Sequence, residues 1–329
     1  MTGAENLRAV LDGGKAEYTP CYFGNVSVMT SSAIHNKPQM GSKGGKDWWG
    51  VEWVLDDVNQ SFSPAVGIEP VLKDVINWKN ELVFPQIDDI DWAAAYERDS
   101  ARFDRNKVTV FIANNGLFER MHFLMGFENA VMAVMEEPEA CAELVDALAD
   151  FYVRLIEKIG EYYKPEYLTF MDDYTYKDGL LVTYDAFDEI FAPALKKIVT
   201  AVETNGMKHI EHCCGKSELL QDRFYDLGIR RLDPCQPIND LTAMRAKHPD
   251  MVLLGGLDVQ SIIDVPGAKE AEIRQEVRRC LDTYGAEGQG YVVYGALVSL
   301  HDPNAYRPGG KIYAIMDEAR KYSNEKSAG

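Results

Sequence analysis

Val108-Thr109-Val110-Phe111-Ile112-Ala113-Asn114 is a short β-branched, apolar run that ends on a polar residue, the signature of a buried strand. Helical sequence follows. Asn129 to Glu136 reads as one helix, and Pro138 opens another whose apolar positions Leu144, Val145, Leu148, Phe151, Leu155 and Ile156 recur at three- and four-residue steps. The same alternation continues with strands over 167–173, 209–213, 231–235, 251–258 and 290–296, and helices over 184–205, 217–227, 241–247, 270–284 and 310–322. Upstream, Ala4 to Gly13 reads as a helix with Leu7, Val10 and Leu11 on one face, and Pro20 to Val26 as a first strand. Residues 36–107 form a long irregular insertion with short strand-like pieces, one of which supplies the eighth strand. The pattern predicts a single domain over 1–329, a (β/α)₈ TIM barrel whose N-terminal insertion covers the C-terminal face of the strands. No glycine-rich dinucleotide or phosphate loop follows a strand, which argues against a doubly wound sheet.

Composition excludes several classes of function. With 52 acidic against 34 basic residues the formal net charge is −18, and no Lys/Arg stripe appears, so nucleic-acid binding is not expected. No apolar run approaches the ~20 residues of a membrane helix, and the N-terminus lacks the basic and apolar regions of a signal peptide. A cytoplasmic location is expected, where the six cysteines stay reduced and clustering among them points to metal binding or reactivity.

In a barrel of this kind the site lies at the C-terminal ends of the strands. Those ends carry Asn25, Asn114, Asp172 and Asp173, His212 and Cys214, Asp233 and Cys235, Asp258, and the stretch from Gly295 to His301. Side chains two apart on a strand share a face, so His212 and Cys214 present an imidazole and a thiol together, half of a zinc site. Cys213 then faces the barrel wall. Cys235, on the adjacent strand end, is a candidate third ligand, ahead of His301, Glu211 and Asp258. Asp172 and Asp173 point to opposite faces, so only one of them faces the site as acid or base; otherwise they cap the following loop. Trp48, Trp49 and Trp53, with Tyr174 and Tyr176, either line a pocket for a planar or methylated substrate or form an apolar cover over the barrel.

Several stretches taken in order resemble the uroporphyrinogen decarboxylase-like superfamily in its cobalamin-dependent methyltransferase branch. They are Asp47-Trp48-Trp49-Gly50, Phe118-Glu119-Arg120-Met121, Asp172-Asp173 with Gly179, the helix from Phe187 to Ile198, His212-Cys213-Cys214-Gly215, Asp226-Leu227-Gly228 and Gly255-Gly256-Leu257-Asp258. The true decarboxylases of that superfamily carry an arginine-rich segment after the first strand. Here Phe23 to Met29 holds no arginine, which speaks against uroporphyrinogen itself as substrate. The methyltransferase branch binds zinc through His-x-Cys, matched by His212 and Cys214, and a distant cysteine near the last strand, where this chain has Gly295-Ala296.

The resemblance therefore implies a zinc-assisted methyltransferase that moves a methyl group between a small methylated substrate and a corrinoid carried by a separate partner protein. Zinc on His212, Cys214 and Cys235, or a proton from Asp172 or Asp173, would relieve charge on the departing atom. The aromatic insertion favours O-demethylation of a methoxylated aromatic, with Asn25, Trp48, Trp49, Asn114, Tyr174, Asp258 and His301 as candidate substrate contacts. Two alternatives stand beside it: a metal-free lyase of the same superfamily acting on a carboxylated substrate, and a non-catalytic barrel that binds a corrinoid or partner. The barrel edges also suit a homo-oligomer.

Overall fold

The computed structural model describes residues 1–38, 42–56, 61–285, 287–296, 298 and 302–327. Its centre is a seven-stranded parallel sheet in the order Val26–Met29, Val108–Ala113, Tyr167–Met171, Lys208–His212, Arg231–Cys235, Val252–Gly256, Tyr291–Tyr294. Neighbours in the sheet are neighbours in this sequence order, and helices such as Pro138–Lys158, Ala192–Thr204 and Glu270–Tyr284 make the crossovers that parallel pairing requires. Sheet edges approach each other through the segment before the first strand, where Cys21 forms an isolated parallel bridge with Val293 and the Tyr22 amide donates to the Val293 carbonyl at 3.0 Å. The architecture is thus an open, strongly curled half-barrel of TIM-barrel type, and not the closed eight-stranded barrel expected.

Two local features account for that difference. The insertion's strands Gly44–Lys46, Glu52–Asp56 and Ser61–Pro64 pair with one another as an antiparallel sheet of their own, so they add no strand to the barrel. Strands close in sequence meet through short loops at low entropic cost, whereas joining the parallel sheet demands a long crossover. The first strand also begins later than its sequence suggests. Gly24 has φ +76°, and the chain turns there from its bridge to Val293 into the ladder beside Val108–Ala113.

A helix, Gly3–Leu11, plugs the N-terminal end of the half-barrel. Thr2 and Glu5 form a reciprocal capping box at its start. Its Leu7, Val10 and Leu11 enter the inner core with Val110, Tyr167, Ile210 and Leu254. Polar ties to the strand beginnings hold it there: Arg8 pairs with Glu166 at 2.7 Å, Lys208 pairs with Asp12, and Arg231 Nε donates to the Leu11 carbonyl at 2.5 Å. With that end sealed, the opposite ends of the strands remain for chemistry.

The insertion packs beside the end of the 108–113 strand. Arg120 of helix Leu117–Met125 and Asp47 of the insertion form an ion pair at 2.8 Å with both side chains fully buried. Asp47 also accepts from the Trp49 and Val51 amides and from Trp53 Nε1. Trp48 and Trp49 set their rings edge-on against Phe151 of helix Pro138–Lys158. No described helix is long and apolar enough to cross a membrane.

Candidate functional site

At the open mouth, Asp173, His212 and Cys214 each offer a ligand atom, and these atoms lie within 4.8 Å of one another. Their meeting follows from strand parity. Ile210 of the 208–212 strand points into the inner core, so His212 and Cys214, two and four residues on, emerge on the same side. The Asp173 carboxylate accepts from the Cys214 amide at 2.6 Å, His212 Nε2 lies 3.4 Å from Cys214 Sγ, and His212 Nδ1 meets Asp233 Oδ1 at 2.5 Å. Gly215 lets this loop close on the hairpin after the 167–171 strand. Its φ is +86°, and a Cβ there would sit 2.7 Å from the Tyr176 backbone. Burial opposes charging of His212, but Asp233 and Cys214 outweigh it and hold its pKa well above the ordinary value. Burial raises the Cys214 thiol, and His212 pulls it back.

One carboxylate, one imidazole and one thiol suit a divalent transition metal, and Asp233 orients the imidazole as an outer carboxylate commonly does. These residues could hold a metal ion, which when bound would polarise a substrate oxygen. The donor set does not single out zinc.

Asp172 faces away from this cluster. It is fully buried, and its oxygens accept from the Leu117, Phe118 and Glu119 amides at 2.7, 3.0 and 2.8 Å, capping the first turn of helix 117–125. Burial pushes its carboxyl up to about 6, against those three donors. The cap sets Glu119 at the mouth. Burial, then the charges of Asp173 and Asp172, push the Glu119 carboxyl up to about 8, with Lys37 and His212 acting the other way. Lys37 lies over the Trp53 ring at 5.3 Å; burial lowers its pKa, and Glu119 and Asp173 partly restore it.

The structure brings together Asp173, His212 and Cys214 and separates them from the other candidates. Cys235 is buried in the layer between sheet and helices, with its thiol 3.4 Å from the Leu232 carbonyl. The register slips between Leu232 and Cys235, so strand parity is lost and the thiol turns outward. Asn25 precedes the first strand, where its amide donates to the Cys21 carbonyl at 2.8 Å. Asp258 accepts from the Ser261 amide as a helix cap, and Tyr174 is buried among Phe118, Phe187 and Phe191. Trp48 and Trp49 belong to the aromatic packing on Phe151. The Asn114 carbonyl accepts from Asn36 beside a cavity. His301 lies outside the described residues. Glu119 and Lys37 were not foreseen, and Asp233 was placed at a strand end without a role; the available signal for Glu119 was an acid in the first helical turn after a strand end.

The sequence model described as uroporphyrinogen decarboxylase (URO-D) matches residues 87–296. No curated protein matches the chain. Among solved structures, one titled "Structure of L-ribulose 3-epimerase" is similar at 10% identity over 74% of this chain and 83% of that one, with a TM-score of 0.33. These findings correct the methyltransferase expectation. The matching family is that of the decarboxylase, nothing narrows it to the corrinoid-dependent branch, and the ligand cluster is a three-residue Asp/His/Cys group from which Cys235 is turned away. Neither the family match nor the three-residue cluster supports zinc-assisted methyl transfer or O-demethylation.

Proposed function

Because the chain belongs to the uroporphyrinogen decarboxylase family, we propose that it is a lyase that removes a carboxyl group from a small carboxylated substrate. The observation that carries this reading is Glu119, a carboxyl group at the mouth with its pKa pushed up to about 8 beside Asp173 and Asp172. Loss of CO₂ breaks a carbon–carbon bond and leaves the electron pair on the substrate carbon, which must then take a proton. An acid that stays protonated at neutral pH suits that step, and Glu119 regains its proton from water. With no metal on its ring, His212, whose proton is favoured by Asp233, supplies positive charge for the substrate's carboxylate together with Lys37. The cationic provision is modest: Arg120 is spent on Asp47, and residues 23–29 contain no arginine. That favours a substrate with one or two carboxylates over a tetrapyrrole bearing many.

The test is turnover in D₂O across a panel of small carboxylates. The account expects one deuterium at the carbon that lost its carboxyl group, and a rate at least ~100-fold lower in Glu119→Gln. Full turnover in that variant would remove Glu119 as the donor and the reading with it.

A further inference from the structure

We propose that the groove along residues 30–38, which runs from the end of the 108–113 strand to Arg98 of helix Trp92–Ser100, is a binding site for an organic carboxylate with an apolar body, with Lys37 linking it to the mouth. A cavity of about 390 Å³ is lined by Ser31, Asn36, Lys37 and Arg102 on its polar side, and by Phe111 and Leu155 on its apolar side. A second cavity, of about 470 Å³, shares Ser32 and His35 with the first and adds Arg98, Trp48 and Ile90. Among the described residues lining either cavity there is no Asp or Glu, although 52 of the chain's 329 residues are acidic. The molecule's overall field repels anions, and a wall with cations and no lining carboxylate opposes that field locally.

The nearby buried carboxylate, Asp99, neutralises Arg102, which leaves Lys37 and Arg98 as the groove's cations without an ion pair among the described residues. It accepts from Arg102 at 2.6 Å, from the Ser32 amide at 2.8 Å and from the Tyr163 hydroxyl at 2.8 Å. Arg98 makes no ion pair with a described residue, which leaves its guanidinium for a ligand. Trp48 and Ile90 offer the apolar body a surface in the second cavity, and Phe111 and Leu155 do so in the first. Lys37 lines the first cavity and also faces Glu119 and Asp173. As a route for a substrate, the groove rests on the lyase reading; as a carboxylate site it stands on its own walls.

Benzoate is the probe, with benzamide as its uncharged counterpart, titrated calorimetrically into the full chain. The groove predicts saturable benzoate binding at least ~10-fold tighter than benzamide, weakened ~10-fold or more in Arg98→Ala and in Lys37→Ala, and retained in Arg98→Lys. Absence of saturable binding, equal binding of benzamide, or indifference to both alanine variants would overturn it. Charge-selective benzoate binding in a protein that releases no CO₂ from any carboxylate would keep the groove and remove the lyase. Release of CO₂ without benzoate binding would do the reverse.

Discussion

In the proposed reaction Glu119 is the proton donor, and its neighbours set its behaviour. Its raised pKa predicts an activity that falls as pH rises through about 8, where the donor loses its proton. Glu119→Gln removes that alkaline limb. The same shift acts on stability: a carboxyl raised above its ordinary 4.5 contributes stability that is present below that pH and lost as pH rises through about 8. Melting temperatures from pH 4.5 to 8.5 should therefore decline less steeply in the glutamine variant. Asp172 is read through its three amide contacts as a positioning residue. Asp172→Ala leaves the Leu117, Phe118 and Glu119 amides without their acceptor, and should lower unfolding free energy in urea by about 2–4 kcal/mol. Strand parity alone already separated Asp172 from Asp173 and joined His212 to Cys214. The raised pKa of Glu119 had no such signature, because it arises from burial and from charges more than fifty positions along the chain.

At the scale of elements, period and parity were legible wherever the strand is regular. The helices from Pro138 onward, the parallel strands and the N-terminal helix were all visible as patterns of apolar spacing. Parity failed where register failed: the slip between Leu232 and Cys235 turned a candidate ligand into a packed thiol. Gly255 marks that place, since a Cβ there would lie 2.3 Å from the Cys235 carbonyl oxygen, but a glycine in a strand does not announce which neighbour it admits. The insertion was legible only as irregular, and its link to helix 117–125 depends on the buried Arg120–Asp47 pair. Arg120→Met would leave the Asp47 carboxylate buried without its counter-charge, and should destabilise the fold by about 3–5 kcal/mol in denaturant titration. The double variant Arg120→Met/Asp47→Leu should recover part of that loss.

For the whole molecule, one end of the half-barrel is sealed by the Gly3–Leu11 helix and the other carries the mouth. A strand–helix alternation predicts such a barrel readily, but closure depends on whether a distant segment adds a ladder, and the insertion instead pairs with itself. Two histidines held neutral inside the fold give the molecule an acid limit. Burial, aided by Arg120, lowers His122 to about 4; burial, aided by Arg231, lowers His209 to about 3. Unfolded, each takes a proton near its ordinary 6.5, so their contribution is full above that pH and is lost as pH falls towards those values. Thermal unfolding followed from pH 7 to 4 should show that loss, diminished in His122→Phe. As the proposed lyase, this chain removes a carboxyl group by itself. The most direct test is CO₂ released from small carboxylates by the purified protein with no corrinoid protein present. Steady release that falls at least ~100-fold in Glu119→Gln is expected; no release from any carboxylate, or release indifferent to that substitution, would refute the lyase reading.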